Sequence, residues 1–271
     1  LPNQLNDLAI KEPRKVYKIL FDAAWSTMST FGQTEGLQLG MIAILHTWGQ
    51  NLSLHPHLHC IVPGGGIQSN TKWKRKIKSD KYLFSVKALS KVFRAKYVAF
   101  LRKEKLGDIQ LFDSLFQSNW VVYAKRPFGG PKQVIEYLGR YTHKVAISNH
   151  RLKNVTATQV TFQYKDYRSN GQNKQMVLTN QEFIRRFSLH ILPKCFVRIR
   201  HYGILSSSWK RGKLQDLQKQ LKVKRKESKP KTKHRLCYCC KEGNLITLAL
   251  FGDRGPPKTY LFKSESKSPI N

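Results

Sequence analysis

Acidic residues are the scarce class in this chain. Sixteen Asp and Glu stand against 49 Lys and Arg in 271 residues, giving a formal charge of +33 and a pI near 10.2. Such an imbalance repels itself unless a polyanion is the usual partner. Nucleic acid is the expected one, because each phosphate contact releases condensed counterions. Long apolar runs are also missing: no stretch reaches the ~18 residues of a membrane span, and no signal-peptide pattern opens the chain. A membrane partner is therefore not expected, and a cytoplasmic location is. Cysteine is sparse and odd in number (Cys60, Cys195, Cys237, Cys239, Cys240), with three crowded near one end. That pattern excludes a secreted disulfide framework and suits a reducing compartment. No internal repeat is present. The sequence opens at Leu1 rather than methionine, as a fragment would.

What remains reads as a mixed helix and strand core to about residue 205, followed by a basic tail. Val16, Ile19, Leu20, Ala23 and Ala24 recur at helical spacing after Pro13, which predicts a helix over 13–31. Leu39 to Thr47 reads as a buried strand, Trp48 to Ser53 as a turn, and Leu54 to Val62 as the antiparallel partner, ended by Gly64-Gly65-Gly66. A basic hairpin or loop is expected through residues 67–76. Further helices are predicted over 86–102, 132–142 and 180–189. Strands are predicted over 120–124, 144–148, 159–165, 174–178 and 196–202, with a turn at Arg168-Ser169-Asn170-Gly171. From about Lys210 the composition turns basic with little apolar periodicity, as for a helix fraying into a solvated linker.

The chemistry is concentrated in two places. His55-Pro56-His57-Leu58-His59-Cys60-Ile61 falls on the second strand, where alternation sends the three histidines to one face while Leu58, Cys60 and Ile61 mostly serve the other. One histidine in a strand is ordinarily packing; three at alternate positions make a site for a divalent metal. The third ligand stays open among Gln50, His46 and His55. Tyr137 and Tyr141 lie four apart on a predicted helix and so share a face. A tyrosine hydroxyl can act as a covalent nucleophile, and Arg140, His143 and Lys144 around the pair would stabilise a phenolate and grip a phosphate. Lys72-Trp73-Lys74-Arg75-Lys76 and the Arg198, Arg200 stretch combine phosphate contacts with rings on which unpaired bases stack. In His234-x-x-Cys237-Tyr238-Cys239-Cys240 one compact cluster has no second pair after it, so a remnant or free-thiol cluster is expected ahead of structural zinc.

These residues carry a resemblance. Leu45-His46-Thr47-Trp48-Gly49-Gln50, His55-Pro56-His57-Leu58-His59 and Pro63-Gly64-Gly65-Gly66 resemble the histidine motif of the two-tyrosine rolling-circle transposases of bacterial insertion sequences, in the HUH endonuclease superfamily. Glu136-Tyr137-Leu138-Gly139-Arg140-Tyr141-Thr142-His143 resembles their tyrosine motif, and Leu192-Pro193-Lys194 with Phe196-Val197-Arg198-Ile199-Arg200-His201-Tyr202-Gly203 a downstream block. The resemblance implies an α+β fold with a central antiparallel sheet flanked by helices, a catalytic domain over 1–205, and a basic, partly disordered tail over 206–271. It implies Mg²⁺ or Mn²⁺ at His57 and His59, with Tyr137 and Tyr141 as nucleophiles on single-stranded DNA at transposon ends in a bacterial, nucleoid-associated setting. Two departures stand out. The cysteine-rich zinc module usual ahead of this point is not in the sequence, and Cys195 replaces an expected glycine.

Two other readings use the same residues. A transposase remnant could bind DNA without cutting it. A histidine-triad nucleotide hydrolase also uses His-x-His-x-His, with histidine as nucleophile and no metal. Such domains are much smaller, however, and have no use for a tyrosine pair or this charge.

Overall fold

The computed structural model describes residues 1–68, 72–75, 82–142, 146–223, 235–237 and 239–245. The chain divides into two compact units, Leu1–Val223 and Lys224–Asn271. Within the first, a short helix α1 (Asn6–Lys11) leads into α2 (Pro13–Thr34), with Pro13 in the first turn, where its missing N–H costs nothing. One face of α2, including Val16, Leu20, Phe21 and Ala23, is buried. Strands β1 (Gly40–Trp48) and β2 (Leu54–Ile61) follow as the predicted hairpin. The short pair β3 (Gly65–Ile67) and β4 (Trp73–Arg75) comes next. The glycines that were expected only to end a strand thus begin a new one. A Cβ on Gly65 would sit 2.2 Å from the Lys74 carbonyl oxygen, so only glycine permits that approach.

Helix α3 (Val86–Lys103) packs on α2, with Ser85 as its N-cap accepting from the Ala88 amide. Lys96 ties the two helices by donating to the Ser26 carbonyl at 2.8 Å. Helix α4 (Ile109–Gln117), capped by Asp108 through the Leu111 amide at 2.8 Å, was not foreseen. The strand expected over 120–124 does not form. Trp120 is anchored by side-chain bonds instead: its indole Nε1 donates to the Leu115 carbonyl, and its own carbonyl accepts from Ser90 Oγ. The chain then runs without helix or strand into α5 (Pro131–Thr142), the predicted tyrosine helix.

Beyond it, β5 (Leu152–Val155), β6 (Gln159–Asp166) and β7 (Gln172–Thr179) form a second antiparallel sheet, with Asn170 and Gly171 at positive φ in the predicted turn. The strand expected over 144–148 is absent where described: Ala146 and Ile147 are bends whose side chains pack with Leu52 and Phe162. Residues 143–145 lie outside the described residues. Helix α6 (Asn180–Ser188) has a Thr179 cap. Strand β8 (Ile199–Gly203) is shorter than expected because Phe196 leaves the strand path to pack against Tyr17 and Phe21. Helices α7 (Ser207–Arg211) and α8 (Lys213–Gln220) belong to the first unit, with Leu217 buried against Ile67 and Ile204.

The sheet that matters for chemistry has the order β2-β1-β8, with β1 central and antiparallel to both neighbours. Its register pairs His46 with His57 and Ile44 with His59. Met41, Ala43, Leu45 and Leu58 face the α2 and α3 core, and the alternate positions face the other side. Ile61, paired with Ile42, falls in register with the histidine side rather than with Leu58. In the second unit the described residues form a two-stranded hairpin, β9 (Arg235–Leu236) and β10 (Asn244–Leu245), in which the Gly243 amide donates to Cys240 Sγ. His234 lies outside the described residues. No helix among them is long and apolar enough to cross a membrane.

Candidate active site

The hairpin register sets the site. The turn between β1 and β2 is clasped from three directions: Arg151 donates to the Gln50 carbonyl, Arg186 to Asn51 O and His190 Nε2 to Leu52 O. Leu52 is fully buried at φ 61°. With the turn length held, His46 must stand opposite His57. His46, His57 and His59 then offer three ring nitrogens that all lie within 4.8 Å of one another. Imidazoles sharing one ion through bonds of about 2.1 Å bring their nitrogens to roughly 3–3.5 Å, so a small inward rotation completes the fit. This three-histidine group could hold a metal. His55 is exposed, its ring 5.1 Å from that of His57, and it stands outside the group. Gln50 contributes its backbone carbonyl to Arg151 as described above.

The hydrogen bonds specify which lone pairs face the centre. A carbonyl can only accept, so His57 Nδ1 carries the proton in its 2.6 Å contact with His55 O, which leaves Nε2 as the donor atom for a metal. By the same logic His46 Nε2 donates to the Tyr141 carbonyl at 3.0 Å and Nδ1 is its ligand atom. Burial lowers the His57 pKa to about 4, opposed by the His55 hydrogen bond and reinforced by repulsion from His55 and His46. The ring is therefore neutral at pH 7, the form that ligates. The cluster is all imidazole, a donor set that suits transition metals better than Mg²⁺, which prefers oxygen.

Helix α5 brings the two tyrosines onto this cluster. Tyr137 Oη lies 3.1 Å from His59 Nδ1, the Tyr141 ring lies 4.1 Å from the His59 ring, and the two tyrosine rings are 4.3 Å apart. Desolvation, reinforced by Tyr141, pushes the Tyr137 phenol up to about 12, so it is protonated at rest. The helix is held at both ends. Its start is fixed by the Gly129 amide donating to Gln133 Oε1 at 2.8 Å. Its end is fixed by His46 and by Arg198, whose guanidinium donates to the Tyr141 and Thr142 carbonyls. A cation there also suits the negative end of the helix dipole.

The remaining residues singled out for DNA are scattered. Arg200 packs over Phe21 at 4.2 Å with Asp22 at 4.0 Å, on the core side of β8. Trp73 packs on the Ile67, Ile204 and Leu217 cluster, whereas Lys72, Lys74 and Arg75 are exposed. Lys76, His143 and Lys144 lie outside the described residues, and Arg140 is placed only as a backbone position on α5. His190, absent from the sequence reading, accepts from Thr47 Oγ1 through Nδ1 while bonding Leu52, and so pins the end of β1 to the turn. A lone histidine after a helix gives no sequence signal for that task.

Residues 40–213 match a protein family, Y2_Tnp, described as "Putative transposase". Along 96% of its length the chain is 37% identical to "Putative transposase y4qJ" of Sinorhizobium fredii, covering 74% of that protein. It is 26% identical to the "Transposase for insertion sequence element IS801" of Pseudomonas savastanoi pv. phaseolicola, over 69% of this chain and 48% of that protein. No solved structure matches. With the family match spanning most of the chain and containing both the histidine hairpin and the tyrosine helix, the chain belongs to the Y2_Tnp transposase family.

Proposed function

We propose that this DNA transposase nicks and rejoins single-stranded DNA through a covalent 5′-phosphotyrosine intermediate, with a divalent metal, Mn²⁺ ahead of Mg²⁺, at His46, His57 and His59. The observation that carries the reading is the approach of both tyrosines to His59: the Tyr141 ring lies 4.1 Å from the His59 ring, and Tyr137 Oη lies 3.1 Å from His59 Nδ1. A bound ion would supply Lewis-acid stabilisation of charge developing on the scissile phosphate. The Tyr137 or Tyr141 oxygen attacks phosphorus, the new P–O(Tyr) bond forms and the P–O3′ bond breaks. The phenol proton is balanced by the one taken up on the released 3′ hydroxyl. His59 Nδ1 meets the Tyr137 oxygen and steadies the charge that oxygen acquires as its proton leaves. The ester keeps the energy of the cleaved bond, so a 3′ hydroxyl can reverse the step without another energy source, and the second tyrosine provides a second cut.

A single strand is the expected substrate because an in-line attack needs an exposed phosphate close to the helix face. The test is nicking of a labelled single-stranded oligonucleotide carrying a transposon end. Mn²⁺-dependent nicking that EDTA abolishes is the expected result. Binding without any nicking under every metal condition would instead favour a remnant that only holds DNA.

A further inference from the structure

The ring file of the site does not stop at the tyrosines. Phe128 lies 5.3 Å from the Tyr137 ring, so Phe128, Tyr137, Tyr141 and His59 form a continuous series with Phe128 as its outer member, 37% exposed. Phe128 sits on the irregular segment between Trp120 and α5. Along that segment Trp120 is buried and Val122 packs against a cluster of buried side chains, while Val121 and Tyr123 are 88% and 78% exposed. No ladder partner covers it among the described residues. Lys125, Arg126 and Lys132 flank Phe128, all exposed, and none makes an ion pair or hydrogen bond among the described residues. From Trp120 to Tyr141 the sequence has four basic residues and one acid, Glu136.

Three properties meet here: a cationic stretch with uncommitted charges, an open aromatic face, and direct continuity with the tyrosine rings. A protein core needs none of these exposed. A duplex, with its bases already stacked, could not use the ring. An unpaired strand uses both features, since every base has a face to stack and every phosphate a charge to neutralise. We propose that residues 121–132 form the track by which single-stranded DNA approaches the site. In it Phe128 stacks the base beside the scissile phosphate, and Lys125, Arg126 and Lys132 contact the flanking phosphates. This rests on the single-strand reading above, but it concerns binding alone and is tested without chemistry.

The experiment is equilibrium binding of the whole chain, in EDTA, to fluorescein-labelled dT20 and to an abasic 20-mer of the same charge. Phe128→Leu should weaken dT20 binding about five-fold or more and leave the abasic strand unaffected, and Phe128→Trp should restore dT20 affinity. Lys125→Gln/Arg126→Gln, at exposed positions, should weaken both strands and flatten the salt dependence by roughly 0.7 per lost phosphate contact. Equal effects of Phe128→Leu on both strands, or an unchanged salt slope in the double variant, would overturn the track. Because no cleavage is measured, a protein that binds as described yet forms no phosphotyrosine would contradict the proposed chemistry and leave the track standing.

Discussion

His46 Nε2 lies 3.0 Å from the backbone carbonyl oxygen of Tyr141, joining the central strand of the sheet to the end of the tyrosine helix. The same ring belongs to the three-histidine group with His57 and His59. One side chain thus serves as a candidate ligand and as a latch for the helix that carries the nucleophiles.

That double use gives a first prediction. Replacing His46, His57 or His59 with alanine should weaken Mn²⁺ binding by at least about ten-fold, read by titration calorimetry. His55→Ala should leave Mn²⁺ affinity unchanged, because His57 bonds the backbone carbonyl of residue 55 and that atom survives the substitution. A loss in His55→Ala equal to that in His57→Ala would move the ligand set outward along the strand.

Arg198 offers a second. Its guanidinium is engaged with the last carbonyls of α5, so it acts on the tyrosines through the helix end. Arg198→Gln should lower the nicking rate while leaving single-strand affinity close to that of the parent, and Arg198→Lys should recover part of the rate. The helix itself should lose about 0.3–1 kcal/mol of local stabilisation. A loss of DNA affinity with an unchanged rate would make Arg198 a phosphate contact instead.

Much of this arrangement was legible in the sequence, and the reasons differ by element. Histidines at alternate positions before a glycine run mark a strand, and a tyrosine pair behind Pro131 marks a helix, because both signals are periodic and local. The choice among His46, Gln50 and His55 depends on register, which the clasped turn sets through Arg151, Arg186 and His190 from far along the chain. Charge alone cannot say what a cation faces: Arg198 and Arg200 read alike, yet one caps a helix and the other lies over Phe21. The apolar run at 120–124 reads as a strand but forms none, because side-chain anchors at Trp120, invisible in sequence, hold its start. Helix α4 did carry its signal, an Asp108 cap before Leu111, Phe112 and Leu115 at helical spacing.

A third prediction concerns pH. Burial lowers the pKa of His57 and His190 from the unfolded value of 6.5. Above that value both states are neutral and these groups add no pH dependence. As pH falls below it, the unfolded chain takes up protons that the folded chain refuses, so stability declines. Melting of metal-free protein should therefore shift downward between about pH 7.5 and 5.5. His190→Gln, which keeps an amide to bond Leu52 but does not titrate, should show a shallower decline. A melting temperature that rises on acidification would reverse the sign of the argument.

The central claim is that the tyrosines form the covalent link, and one gel tests it most directly. Protein incubated with Mn²⁺ and a 3′-labelled single-stranded transposon end should run, after denaturation, as a protein–DNA adduct. Tyr137→Phe and Tyr141→Phe should each remove part of that adduct, and Tyr137→Phe/Tyr141→Phe should remove all of it while keeping the fold and Mn²⁺ affinity of the parent. An adduct that persists in the double variant would place the nucleophile elsewhere and contradict the account.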